Sequence, residues 1–180
     1  MNYTVKFDVP SEMEHTFNEG KYEVRDLYES IPLPVIAYIE DEKCQQIGEI
    51  KGYFLYNTPD FLYKCDNESG DIAVIAEGIC DENEMVDMLE EDAGVFILDN
   101  LLIFESHSGL GIGSSIMKNL PHMVNNQFNL VNAIFLCASD FTNDSGFDSQ
   151  EYKEGTDRLI KFYEKCGYEV IKDSVMFKLF

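Results

Sequence analysis

The sequence predicts a single mixed α/β domain, and three observations carry that expectation. Short apolar runs bounded by turn residues recur from Tyr3 to Phe180, and stripes with helical spacing lie between them. At one point a strand, a glycine turn and a helix follow without interruption: Leu101-Leu-Ile-Phe104, then His107-Ser-Gly-Leu-Gly-Ile-Gly113, then the stripe Ile112, Ile116, Leu120. With 180 residues and 45% hydrophobic content, the chain can bury one core.

Taken in order, Tyr3 to Val9 reads as a strand, and Ser11 to Ser30 as a mixed, partly helical segment broken at Gly20. After Pro32 and Pro34, Val35-Ile-Ala-Tyr-Ile39 is a strand, Asp41-Glu-Lys a turn, and Ile47 to Tyr56 its antiparallel partner, with Gly48 and Gly52 marking bulges. The apolar spacing from Asp71 to Glu91 predicts one or two helices with a break near Gly78 to Asn83. Val95 to Phe104 is a long buried strand interrupted at Asp99 and Asn100. The helix after the glycine turn extends to about Gln127, kinked by Pro121. Val131 to Cys137 is a further strand and Asp140 to Gly155 a polar connection. Thr156 to Cys166 is an amphipathic helix stopped by Gly167, and Tyr168 to Phe180 closes the fold with one or two strands.

Composition narrows the partners. The 34 acids against 13 bases give a net charge of −21, which argues against nucleic acid. The charge is unevenly spread: residues 1–104 hold 24 acids and 6 bases, whereas 105–180 hold 10 and 7. Seven of the acids crowd between Asp81 and Asp92 as a solvated face, while Ser106 to Ser139 contains none. Nothing in that window repels an anion. The absence of a long apolar span or a leader-like N-terminus predicts a cytoplasmic protein that does not enter membranes. Five cysteines without metal-ligand spacing read as reduced thiols, and no metal site is expected.

Glycines at 109, 111 and 113 allow positive φ and close approach of a ligand, and a helix start offers free N–H groups to negative charge. A phosphate is the expected guest. A Walker loop would need Lys after its last glycine, and Ser114 stands there; a dinucleotide fingerprint would need its third glycine at the same position. What remains is a G-x-G-x-G turn after a strand.

Residues Leu101 to Met117 resemble the acetyl-CoA motif of GNAT N-acetyltransferases, and Phe162-Tyr-Glu-Lys-Cys-Gly-Tyr168 resembles the C-terminal motif of that family. The resemblance implies a central, mostly antiparallel sheet with helices on both faces, residues 1–94 forming the acceptor side and 95–180 the acetyl-CoA side. It also implies acetyl-CoA as co-substrate. The Ile103 backbone would pair with the pantetheine arm. Ser108, Gly109, Leu110, Gly111, Ile112, Gly113 and Ser114 would surround the pyrophosphate, with N–H groups donated from Leu110 to Ser114. Tyr163 would protonate the departing thiolate, a task for which a phenol is suited because it keeps its proton at neutral pH. Packing on the Leu159, Phe162 stripe is the structural alternative for this ring.

Ser108 departs from the family pattern, which has Arg or Gln at that position, so one phosphate contact is lost or replaced. Lys118, Lys161 and Lys165 are neighbouring cations, and His107 offers a partial positive charge or, as the alternative, a neutral surface side chain. Asp99, Glu105 and Asp140 are carboxylates able to take a proton from an acceptor amine, and Cys137 stands where some relatives carry an acid; spacing selects none of them. The acidic first half suits a cationic acceptor, a small amine or a protein amine. The expected activity is direct acetyl transfer to a primary amine. A catalytically silent module binding CoA or a protein partner is the alternative, and the apolar tail Val175 to Phe180 suits either closure of the sheet or a homodimer edge.

Overall fold

The computed structural model describes residues 2–8, 32–56, 61–68, 70–81, 93–128, 131–139 and 149–180. The expectations for 11–30, for the acidic run beyond Asp81 and for most of the 140–155 connection lie outside the described residues.

Seven strands form one sheet: β1 (Tyr3–Asp8), β2 (Leu33–Asp41), β3 (Gln46–Tyr56), β4 (Gly94–Ile103), β5 (Val131–Cys137), β6 (Glu169–Lys172) and β7 (Val175–Leu179), in the spatial order β1-β2-β3-β4-β5-β7-β6. All neighbours are antiparallel except β4 and β5. The parallel pair requires a crossover, and α3 (Ile112–Phe128) supplies it. Helices α1 (Phe61–Glu68) and α2 (Gly70–Asp81) complete one layer, and α4 (Gln150–Glu164) joins α3 on the other.

Alternation along the strands divides the core. Phe96 and Leu98 of β4 and Ile134 and Leu136 of β5 face α3 and α4, whereas Val95, Ile97, Ala133 and Phe135 face α1 and α2. Both central strands are therefore buried on two sides, which explains why they read as continuous apolar runs. Phe128 ends α3 in an aromatic cluster, stacked on Phe54 at 5.0 Å and meeting Phe7 edge-on at 5.9 Å.

Both expected bulges are present. Register shifts between Ile39 and Glu40 beside Gly48, and again where Lys51 faces Asn100 but Gly52 faces Leu98, which makes Asp99 the extra residue of the bulge. A Cβ on Gly52 would stand 2.5 Å from the Ile97 carbonyl and 2.6 Å from Phe96, so only glycine permits this approach of the strands.

Helix α2 runs through Gly78, which packs against Val175, as far as Asp81, and the rest of the expected break towards Asn83 lies outside the described residues. Two elements differ from the sequence expectation. Helix α1, within a stretch whose spacing prompted no assignment, is an eight-residue segment docked through Phe61 and Cys65. Helix α4 starts at Gln150, six residues before Thr156, because the Ser149 side chain accepts the Tyr152 N–H at 3.1 Å and caps it. Gly155 is then a buried position inside the helix rather than the end of a loop. Among the described residues, no helix is long and apolar enough to cross a membrane.

Pro121 lies inside α3, and the helix continues past it to Phe128. Proline has no N–H to offer the Met117 carbonyl four residues earlier. The buried Tyr168 hydroxyl donates to that carbonyl at 3.3 Å, which ties α3 to the segment after α4. Tyr168→Phe should therefore cost about 1–3 kcal/mol in urea unfolding. In a Pro121→Ala background, where the backbone regains its own donor, the same change should cost markedly less; equal costs in both backgrounds would refute the coupling.

Candidate functional site

The bulge at Asp99 opens the site. Pairing between β4 and β5 runs from Gly94 to Leu98 and stops at the bulge, while β4 continues to Ile103 and β5 ends at Cys137. The strands part, and a cleft of about 650 Å³ fills the gap. Leu98 to Leu102 form one wall, Leu136, Cys137 and Ser139 its floor, and the α4 face from Gly155 to Tyr163 the other wall.

Backbone parity sets what β4 offers this cleft. The Phe104 N–H donates to the Ile47 carbonyl at 2.9 Å, so alternation turns Leu102 towards β3 and leaves the N–H and C=O of Leu101 and Ile103 aimed at the gap. The described part of β5 does not pair with either residue. Ile103 was legible in the sequence as a strand position, whereas Leu101 follows only from this parity.

Past β4, Glu105–His107 make one 3-10 turn, and the Ser108 N–H is consumed by the Glu105 carbonyl at 3.1 Å. Gly109 and Gly111 then take φ of +73° and +78°, bending the chain into α3. Gly113 has an ordinary φ and approaches Phe162 and Ile103, so its glycine requirement is contact rather than conformation. The first bond of α3 is Ser115 N–H to the Gly111 carbonyl at 3.0 Å. Among the described residues, no acceptor meets the N–H groups of Gly111, Ile112, Gly113 and Ser114, the four donors a helix start leaves open. Tyr3 anchors this turn from β1, its hydroxyl donating to Ser115 Oγ at 2.7 Å, a contact no sequence pattern announced.

Tyr163 lines the cleft, and its ring meets Phe162 at 5.1 Å and Tyr168 at 6.0 Å. Its hydroxyl makes no hydrogen bond among the described residues. Burial pushes its pKa up to about 12, so it keeps its proton throughout the neutral range. The end of α4 fixes the ring. The Tyr168 N–H bonds the Tyr163 carbonyl at 3.1 Å and the Gly167 N–H bonds the Glu164 carbonyl at 2.9 Å, with Gly167 at φ +87°. This is a Schellman closure, and the Tyr163–Tyr168 ring contact is the apolar clasp that accompanies it.

The remaining sequence candidates separate in space. Asp99 lines the cleft at the bulge. Cys137 does so too, with Sγ 3.0 Å from Ser139 Oγ and 3.3 Å from Ser174 Oγ. Glu105 is exposed on the 3-10 turn, and Asp140 lies outside the described residues. His107 turns away from the cleft towards the β2–β3 hairpin, beside Asp41 and Lys43. Lys118, Lys161 and Lys165 are exposed and do not line the cleft. Arg158 does line it, and the sequence reading passed over it although it shares the helical spacing of Leu159, Phe162 and Tyr163. Among the described residues, no group of His, Cys, Asp or Glu is arranged to hold a metal ion.

Two outcomes follow from the α4 closure. Gly167→Ala should destabilise the chain by about 1–2 kcal/mol in denaturant unfolding and Gly167→Asn by less, since Asn tolerates a left-handed φ; equal losses would contradict the strain argument. Because the Tyr163 pKa is raised from 10.0 to about 12, its contribution is complete below pH 10 and is lost as pH rises from 10 through 12, where the unfolded phenol ionises first. Unfolding free energy should fall across that window by up to ~3 kcal/mol on this account, and the fall should be smaller in Tyr163→Phe.

No family model matches the sequence, and neither does any curated protein. Solved structures do match. The chain is similar to an agmatine N-acetyltransferase in its apo form, with TM-score 0.55 at 9% identity over 99% of this chain and 100% of that one. It is also similar to Arabidopsis thaliana NAA60 in complex with acetyl-CoA, with TM-score 0.50 at 9% identity over 99% of this chain and 98% of that one. The mostly antiparallel sheet, its one parallel pair and the helices on both faces give this chain the GNAT acyl-CoA N-acyltransferase fold.

Proposed function

We infer that the protein is an acetyl-CoA-dependent N-acetyltransferase that moves an acetyl group directly to a primary amine. The observation that carries this reading is that two features meet at one cleft. Among the described residues, four N–H groups at the start of α3 meet no acceptor, and Gly113 there approaches Phe162 and Ile103 at the border of the cleft; the Tyr163 phenol, which makes no hydrogen bond among those residues, lines the cleft itself. An anion with a long amide-bearing arm and a reactive end satisfies both. The structure of NAA60 with acetyl-CoA supports the choice, being a complex of that ligand with a protein of similar fold.

Acetyl-CoA brings a thioester, whose carbonyl carbon accepts an amine. Leu101 and Ile103 would hold the arm by strand addition, and Gly111 to Ser114 would hold the pyrophosphate, with Gly109 and Leu110 shaping the approach. Ser108 contributes no N–H, because the 3-10 turn already uses it. A neutral amine attacks, the carbon–sulfur bond breaks, and negative charge develops on sulfur. Tyr163 would meet that charge. With its pKa near 12 it is stronger as a hydrogen-bond donor to the developing thiolate than as a full acid, and it donates without ionising first. The surplus amine proton needs an acceptor, and Asp99 is the carboxylate among the residues lining the cleft.

The charge of residues 1–104, net −18 from 24 acids and 6 bases, favours a cationic acceptor held on that side and a salt-dependent capture rate. Partners, on this reading, are acetyl-CoA and an amine rather than nucleic acid or membrane. We place the reaction in the cytoplasm, carried by one domain of which 1–94 faces the acceptor and 95–180 the acyl donor. Ser108 favours a second reading, a module that binds CoA without turnover, because it removes a side-chain contact from the cradle.

Calorimetry with acetyl-CoA followed by a thiol-release screen over polyamines, aminoglycoside-type amines and basic peptides separates the readings. Binding with thiol release supports the transferase, binding without release supports the module, and the absence of binding sinks both. Tyr163→Phe should lower turnover by roughly 100-fold while acetyl-CoA affinity stays within about twofold. Unchanged turnover would remove Tyr163 from the reaction.

A further inference from the structure

Helix α4 presents one stripe to the cleft: Gly155, Arg158, Leu159, Phe162 and Tyr163. Only Arg158 in it is charged. Its side chain is exposed, and among the described residues its guanidinium makes no hydrogen bond or ion pair. Glu154 stands one turn earlier, at a spacing that commonly pairs on a helix, yet its carboxylate is engaged by Gln150 Nε2 at 2.9 Å. Among the described residues, Arg158 is therefore a long cation without a partner on the wall of a cleft that the open N–H donors of α3 adjoin at Phe162.

The stripe also has a direction. Tyr163 belongs to the end near Cys137, and Phe162 Cζ comes within 3.8 Å of where a Cβ on Gly113 would stand, so that ring borders the first turn of α3. Arg158 lies one turn nearer the start of α4, about 6 Å further along its axis at 1.5 Å per residue. The wall thus reads phenol, then the ring at the cradle, then guanidinium. Opposite, the turn offers little side-chain chemistry: Ser108 is exposed, and no side chain between Ser108 and Ser114 carries charge.

We propose that Arg158 holds a phosphate group of the acyl-CoA, supplying from α4 the side-chain charge that the glycine turn lacks at Ser108. The proposal rests on the acyl-CoA reading above. Guanidinium suits the task, since its planar fork gives two parallel N–H bonds to two phosphate oxygens and it never loses its charge. Coenzyme A carries a pyrophosphate and a separate 3′-phosphate, both anionic, and the choice between them is a matter of measurement.

The test is calorimetry of the full chain and of Arg158→Gln and Arg158→Lys with CoA, dephospho-CoA and pantetheine, the variants first matched to wild type by thermal melting. Arg158→Gln should weaken CoA by roughly 10- to 50-fold, Arg158→Lys should lose less, and pantetheine binding should not change. An equal loss with dephospho-CoA assigns the contact to the pyrophosphate, and a loss confined to CoA assigns it to the 3′-phosphate. Undiminished CoA binding by Arg158→Gln overturns the proposal, as does an equal loss towards pantetheine. Wild-type protein that binds none of the three overturns the acyl-CoA reading itself, an outcome distinct from either.

Discussion

Everything about the site depends on one extra residue in a central strand of the sheet. Asp99 is the extra residue in β4, and at that point the parallel pairing of β4 with β5 ends. Strands that diverge in a core expose peptide groups, each of which would cost about 1–3 kcal/mol if buried without a bonding partner. The chain tolerates the divergence because the gap remains an open cleft. Gly52 makes the irregularity sterically feasible, and the polar pair Asp99-Asn100 interrupts an otherwise apolar strand at the same place.

Around this defect the cleft wall and the turn that adjoins it are built by different means. At the turn the donors are main-chain groups left over by the start of a helix, so their placement depends on where α3 begins and not on side-chain identity. On the wall, a side chain is held by the closing turn of α4, where Gly167 folds Tyr168 back upon Tyr163. Tyr168 in turn bonds the carbonyl that Pro121 leaves bare. The two walls are therefore linked through the core as well as across the cleft. A departure at a single side chain, such as Ser108, removes a contact without disturbing this framework.

Much of this was legible. The period-two and continuous apolar runs located the strands, Gly48 and Gly52 pointed to bulges, and the glycine turn announced a helix start open to anions. The resemblance of two motifs anticipated the fold. Other features depend on relations that a linear reading does not contain. Which backbone groups of β4 face the gap is settled by hydrogen-bond parity with β3, and the Tyr3–Ser115 contact joins residues 112 apart. The start of α4 was missed because Gly155 looks like a loop residue until the Ser149 cap is recognised. His107 looked like a neighbour of the phosphate turn, but the 3-10 turn carries it to the hairpin side.

The edge at Leu101 and Ile103, which no described strand pairs on the β5 side, has a consequence for association. Unpaired strand edges recruit strands from other molecules, and proteins ordinarily blunt them with charge, proline or a covering element. This one sits inside a notch, with α4 along its open side and the turn into α3 at its end. A foreign β-strand brings side chains on both faces and a further edge of its own, and residues Gly155 to Tyr163 of α4 line the side on which that edge would stand. A single amide-bearing chain brings no second edge. The helix that walls the cleft is thus also the element that covers the strand, one of the ways in which a sheet edge is kept from other proteins.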